Sequence, residues 1–232
     1  MQEKTAGIYV ACSVLDKPLR DPYELTADEK VLQVGAALTQ RRLFAGVLTD
    51  CEGENISEKN RQYCELTGLY WVWKHAEEDY IGLVHYRRHF LLPADWVLRM
   101  ECNRVASLLP VPLYVAPDIA GNYRERHIAS DWDYLMEYFK AKLPDEYGDA
   151  ERIFAGNLYS PCNMLVARRD VLDRLCAWLF PILDAVVAHG GEKEDPYMNR
   201  YPGFLSERLI TYFFEKHRDE YKTVYADKNF LN

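Results

Sequence analysis

Apolar positions in this chain fall into short unbroken runs and longer stripes with helical spacing. Gly7 to Cys12, ahead of Ser13 and the turn-rich LDKPLRDPYE, predicts a buried strand. From Thr26 two readings stand: Glu29 at capping-box spacing argues a helix, and VLQVG argues a short strand. Phe44 to Thr49 predicts a strand running into the acidic loop Asp50-Cys51-Glu52-Gly53-Glu54. Ser57 or Asn55 then caps a long predicted helix, in which Tyr63, Leu66, Tyr70 and Trp73 form an apolar stripe facing a sheet. Tyr80 to Val84 predicts a strand, with Gly82 marking a close backbone approach.

Further along, the pattern predicts a helix at Arg99 to Leu109, a strand at Pro112 to Ala116 and a helix at Asp131 to Leu143 capped by Ser130. A strand at Asn163 to Ala167 follows, then a helix at Asp170 to Val187 that Pro181 should kink. A helix at Gly203 to His217 and a strand at Lys222 to Ala226 complete the chain. Strands alternating with helices imply one α/β domain over residues 1–232, a mixed sheet covered on both faces. Ligands of such sheets gather at the carboxyl ends of strands.

With 49% hydrophobic and 28% charged residues, the chain is globular rather than disordered, collagen-like or coiled-coil. Acidic residues outnumber basic ones, 36 to 28, and the resulting net charge of −8 repels nucleic acid and anionic lipid. An anionic ligand therefore needs a local basic pocket. No apolar stretch is long enough for a membrane span and no signal-like start is present, so a cytoplasmic location is expected. The six cysteines form no CxxC pair and read as reduced thiols used as small hydrophobes, against structural zinc or a disulfide framework.

The densest chemistry lies at the end of the strand at 80–84, where His85-Tyr86-Arg87-Arg88-His89 sets two guanidiniums and two imidazoles together. Such a cluster is costly in a crevice unless an anion sits opposite, and the arginine fork suits a diphosphate. Solvated surface charge is the bland alternative. A literal Asp-x-Asp occurs at Asp131-Trp132-Asp133, but acidic residues in a first helical turn are favoured by the macrodipole alone. Asp50, Glu52 and Glu54 offer oxygen ligands for a divalent metal, Mn or Mg, and a solvated turn explains them equally well. Of the two neighbouring tryptophans, which leave their helix on different sides, Trp71 is the one expected to line a pocket and Trp73 the one expected in the core. Glu207 and Arg208 interrupt the apolar frame Phe204, Leu205, Leu209, Tyr212, Phe213, and an i, i+1 pair is expected to find separate partners.

GENIS, Asn60, CELTGLYWVWK, GLVHYRRHF, Asn163-Met164 and GFLSERL together resemble a bacterial family first known only as a domain of unknown function. Its members occur in capsular polysaccharide, exopolysaccharide and lipopolysaccharide assembly. The resemblance implies a GT-A-like glycosyltransferase of hexosyltransferase type, with a nucleotide-sugar donor and a saccharide acceptor, lipid-linked, reached by peripheral contact at the inner face of the plasma membrane. Where most GT-A enzymes hold a metal with Asp-x-Asp, this chain has His85-Tyr86-Arg87-Arg88, so no cofactor is expected. The implied donor contacts are Tyr86, Arg87, Arg88, Asp50, Asn55 and Asn60, with Glu65, Trp71, Lys74, Asn163 and Arg208 completing the binding set. Glu207 and Asp131 are the candidate bases for the attacking hydroxyl, with His85 and His127 as alternatives. The chain departs from the family at Cys12-Ser13, where a His-Lys pair is usual, and at Cys51, where a second acid is usual. Two rival readings fit the same residues: a catalytically idle carbohydrate-binding or assembly protein, and a phosphotransferase using the His-Arg cluster.

Overall fold

The computed structural model describes residues 4–232. The first half comprises β1 (Ala6–Cys12), β2 (Glu29–Gln33), β3 (Leu48–Thr49), α1 (Asn60–Tyr63), α2 (Leu66–His75), β4 (Tyr80–His85), α3 (Trp96–Cys102), β5 (Ser107–Pro110) and β6 (Leu113–Tyr114). The second half comprises α4 (Ile119–Arg126), α5 (Ala129–Lys142), α6 (Pro144–Phe154), β7 (Leu158–Tyr159), β8 (Leu165–Arg168), α7 (Arg169–Gly190), α8 (Tyr201–Lys216) and β9 (Thr223–Ala226). Seven strands form one mixed sheet in the order β3-β2-β1-β4-β8-β5-β9, and β6 pairs with β7 apart from it. β1 runs parallel to β2 and β4, whereas β8 runs antiparallel to β4 and β5.

Alternation along the strands supplies both cores, because successive side chains leave a strand on opposite faces. Tyr9, Ala11, Ile81, Leu83, Leu165 and Ala167 join the larger cluster with α2, α5, α7 and α8. Ile8, Val10, Tyr80, Val84 and Val166 join the smaller one, closed by Trp96 and Met100 of α3. Gly82 is required where β4 meets β8: a Cβ there would lie 2.9 Å from the Leu165 carbonyl oxygen.

Several predicted elements change on folding. Glu29–Gln33 resolves to a strand, and the Thr26 amide donates to Glu29 Oε2 at 2.9 Å within a turn rather than a helix cap. The strand expected at 44–49 shrinks to Leu48–Thr49, and the loop ahead of it is held by the Gln33 side chain, which binds the Arg41 carbonyl and the Leu43 amide. The helix expected over 99–109 ends at Cys102; Arg104 turns left-handed (φ 54°) and the fully buried run from Ser107 becomes β5. Short apolar runs do not distinguish buried strand from buried helix by period alone. Ser130 lies inside α5 rather than capping it, and α7 continues as one element through Pro181 on its exposed side. Helices α4 and α6 have no counterpart in the predicted elements.

The single long helix after the acidic loop is broken at Cys64 (φ 50°). Asn60 Nδ2 donates to the Cys64 carbonyl at 2.7 Å and to Thr67 Oγ1 at 2.9 Å, holding the break. Its stripe does not face the sheet: Tyr70 and Trp73 pack on Phe180 of α7, and Tyr63 donates to Asp184. Gly68 meets the sheet instead, with Val34 2.9 Å from where its Cβ would stand.

Asp50 fastens this region. Its fully buried carboxylate accepts from the Gly35 amide (2.8 Å), the Ala36 amide (3.0 Å), Ser57 Oγ (2.5 Å) and Thr67 Oγ1 (2.6 Å). Removing the acceptor strands buried donors, so Asp50→Ala is expected to lower unfolding free energy by about 3 kcal/mol or more, read from the urea midpoint.

Candidate active site

The chain leaves β1 for β2 on one side and returns as β4 on the other, so the crevice beyond the ends of β1 and β4 is the switch point of the sheet. β4 ends in a tight turn: the His85 amide donates to the Arg88 carbonyl at 3.2 Å and the Arg88 amide to the His85 carbonyl at 3.0 Å. The antiparallel pairing Leu83↔Leu165 then brings the residues before β8 alongside His85.

A cleft of about 160 Å³ opens there, lined by Glu65, His85, Arg88, Asn163 and Glu207, with Cys64, Cys162, Arg200, Gly203 and Phe204. His85 Nε2 lies 2.7 Å from the Cys162 carbonyl, which only accepts, so that nitrogen carries the proton; Glu65 Oε1 stands 3.7 Å away. Asn163 Nδ2 donates to Glu65 Oε1 at 2.7 Å and to the Gly203 carbonyl at 3.1 Å, while its buried Oδ1 has no donor among the described residues. Cys162 (φ 76°) and Asn163 (φ 49°) are consecutive left-handed residues, a strained segment of the kind that gathers at functional sites.

Glu207 accepts from the Cys162 amide at 2.6 Å on one oxygen and from Arg208 Nη1 at 2.9 Å on the other. Burial pushes its carboxyl above the ordinary range, against the pull of Arg208, the Cys162 amide and Arg88. Arg88 packs its guanidinium 4.9 Å over the Phe230 ring and makes no side-chain hydrogen bond or ion pair among the described residues. Arg200 donates to Cys64 Sγ at 3.0 Å. Burial lifts the Cys162 thiol to about 11, so it stands as a neutral polar wall.

The structure separates the other expected site residues from this cleft. Arg87, at the corner of the turn, points to a different cavity beside Lys17 and Arg20. Tyr86 is half-buried against the smaller core and carries Arg87 over its ring. Asp50, Asn55 and Asn60 are spent on the backbone: Asp50 as above, Asn55 on the Cys51 and Gly53 carbonyls, Asn60 on the helix break. Trp71 is the more buried tryptophan, donating to the Glu52 carbonyl, whereas Trp73 is partly exposed under Lys74. Lys74 pairs with Glu54 at 2.9 Å.

Asp131 is buried with Lys193 at 2.9 Å and Asp133 is paired with Arg124, so the Asp-x-Asp carboxylates serve different cations. Glu52 takes Thr49 and Glu54 takes Tyr70 and Lys74, so the acidic loop does not converge either. Among the described residues no group of three or more His, Cys, Asp or Glu is arranged to hold a metal ion. Arg208 is buried behind Glu207 and shares a hydrogen bond with it, contrary to the expectation of separate partners. His127 is stacked 4.1 Å from Phe204 with its pKa lowered to about 4 by burial, then by Arg208 and Arg126.

The second histidine of the cluster is structural. His89 Nδ1 meets Glu29 Oε1 at 2.7 Å, both buried, with Tyr23 stacked 3.7 Å from the imidazole. Cys64, Cys162 and Arg200 are not among the expected site residues, although the CELTGLYWVWK block, Asn163-Met164 and the GFLSERL block lie at or beside them in sequence.

A family model matches residues 20–218. The chain belongs to the family described as Domain of unknown function (DUF4422). No curated protein matches this DUF4422 chain significantly. Among solved structures it is similar to one described as the apo form of WbbM, a bifunctional glycosyltransferase, with a TM-score of 0.83 and 25% identity. That match covers 98% of the DUF4422 chain and 45% of WbbM, so the chain spans less than half the length of that relative. Core-mannan synthase A from Aspergillus fumigatus, in its Mn/GDP form, is a distant likeness at a TM-score of 0.33 and 14% identity, over 74% of this chain and 46% of that one. The mannosyltransferase Ktr4p from S. cerevisiae stands at 0.41 and 10%, over 97% and 70%; neither carries an argument. The DUF4422 chain thus has the mixed α/β fold of a GT-A glycosyltransferase. No helix among the described residues is long and apolar enough to cross a membrane.

Glu29 supplies a test of the His89 anchor. Burial pushes its carboxyl up, but hydrogen bonds from His89, Thr26 and Tyr23 bring it below the ordinary value overall. The unfolded chain then binds the proton first as pH falls, so this stability is present above the ordinary carboxylate value and is lost toward the folded one. Glu29→Gln is expected to flatten the fall of unfolding free energy across that acid window, measured by denaturant titration at stepped pH.

Proposed function

We propose that this chain is a glycosyltransferase, a single transferase domain that moves a sugar, of hexosyl type, from a nucleotide-sugar donor to a surface-polysaccharide acceptor. The observation that carries this reading is the meeting, in one cleft at the switch point, of the Arg88 guanidinium, unpaired among the described residues, with the partly buried Glu207 carboxylate. The WbbM likeness at a TM-score of 0.83 supports it. Capsule, exopolysaccharide or lipopolysaccharide assembly, a lipid-linked acceptor and peripheral contact at the cytoplasmic membrane face belong to the same proposal.

In this reading the acceptor hydroxyl attacks the anomeric carbon and Glu207 takes its proton. Charge building on the departing diphosphate is met by Arg88 and Arg200, fixed cations in a partly dry site. Arg208 and the Cys162 amide hold Glu207 in place, and Asn163 holds Glu65. The unpartnered Asn163 Oδ1 is left to accept a sugar hydroxyl. His85 acts as a positioning residue, its Nε2 proton bound to the Cys162 carbonyl rather than free for acid-base work.

Transfer is proposed to proceed without a divalent metal, because each carboxylate of the acidic loop and of the Asp-x-Asp is already engaged by its own partner. EDTA should leave the rate largely intact, and Arg88→Ala should abolish it. A strict requirement for added manganese in a nucleoside-diphosphate release assay would count against this role of the arginine.

A base with a raised pKa works deprotonated, so wild-type kcat/KM should fall on the acid side above the ordinary carboxylate range. Glu207→Gln is expected to lower kcat by about 10² to 10⁴ and to remove that limb. Phosphate release from nucleotides lacking any sugar, with no glycosyl transfer, would favour a phosphotransferase instead.

A further inference from the structure

Arg88 stands in the cleft wall without a polar anchor among the described residues. A long side chain in that situation keeps its rotamer freedom unless another contact restrains it. The contact that restrains Arg88 is the Phe230 ring, whose centroid lies 4.9 Å from the guanidinium carbon.

Phe230 reaches the turn after β4 by a short antiparallel ladder. The Asn229 amide donates to the His89 carbonyl at 3.0 Å, the Leu231 amide to the Arg87 carbonyl at 2.9 Å and the Leu91 amide to the Asp227 carbonyl at 2.9 Å. The His89 amide in turn donates to Asn229 Oδ1 at 2.7 Å. With Phe90 bridged to Lys228, this register sets Phe230 directly opposite Arg88. The backbones of these two are not bonded to each other, because the Arg88 amide and carbonyl are both engaged by His85. Side chains of such a pair stand closer together than those of a hydrogen-bonded pair, so the ladder itself delivers the ring to the guanidinium.

Burial does not account for the ring. Alternation sends Leu231 inward, 8% exposed, and leaves Phe230 58% exposed at the surface. A phenyl ring left so far in water adds little to the core, and what remains for it is the cation lying on its face. The segment also lies beyond residues 20–218, the span that the family model matches.

We propose that Phe230 is a positioning residue for Arg88: cation–π contact with its ring holds the guanidinium in the cleft, ready for the charge that builds on the leaving group. The placement of Arg88 is a matter of geometry, and its effect on rate rests on the transferase reading.

NMR of the full chain reads the placement without turnover, through the Arg88 Nε–H signal, assigned by its loss in Arg88→Lys. In the wild type the proton is expected to carry the upfield ring-current shift of a group over an aromatic face, with a restrained N–H vector. Phe230→Leu should remove the shift and loosen the vector, and Phe230→Tyr should keep both. Circular dichroism and thermal unfolding establish that each variant is folded, as the exposure of the ring predicts. An Arg88 signal that is the same in the wild type and the folded Phe230→Leu variant would overturn the proposal. In the transfer assay Phe230→Leu is expected to lower kcat by about three- to tenfold with KM nearly unchanged, and Phe230→Tyr to restore it, because the contact matters where charge develops. An unchanged kcat, or a loss that Phe230→Tyr does not restore, also counts against it. Absence of transfer by the wild-type chain strikes the transferase reading and leaves the placement to the Arg88 signal.

Discussion

The arrangement of the cleft depends on a carboxylate outside it. Asp50 accepts two backbone amides and two hydroxyls, which joins the loop after β2, the end of β3, the 3₁₀ turn before α1 and the first turn of α2. A buried carboxylate is tolerated only when its lone pairs are filled this way. The bonds fix where α2 begins, and the left-handed Cys64 then sets Glu65 at its head, facing Asn163. Gly35 belongs to the same constraint, since a side chain there would fall 2.6 Å from Asn60 Oδ1.

Much of the fold was legible because its strongest signals are local. β1, β4 and α8 are continuous apolar runs or stripes that burial alone explains. The failures lie where one dihedral overrides the pattern: left-handed Arg104 follows the early end of α3, and left-handed Cys64 splits a helix. The cleft was half legible. Charge density drew attention to the end of β4, and family likeness to Glu65, Asn163 and Glu207, all of which reach it. Burial state was not legible, so Asp50, Asn60 and Trp71, polar or aromatic by letter, turned out to be bound within the scaffold. The divergence of Arg87 from Arg88 follows from turn geometry that residue types do not encode.

Within HYRRH the five residues divide the work by where a tight turn sends them. His85 and Arg88 face the carboxylates, Arg87 faces a cationic hollow, Tyr86 lies against the smaller core and His89 locks onto Glu29. The cavity of about 480 Å³ beside α3 is larger than either and is lined mainly by apolar side chains, with Arg99, Lys222 and Asp227 among them.

The reversed direction of β8 has a further consequence. A strand entering the middle of the sheet from the ligand side delivers its leading residues, rather than its trailing ones, to the crevice. The segment from Cys162 thereby arrives already anchored by the strand that follows it, and residues distant in sequence, Glu65, His85, Asn163 and Glu207, converge there. A cleft wall supported in this manner inherits the rigidity of the sheet itself.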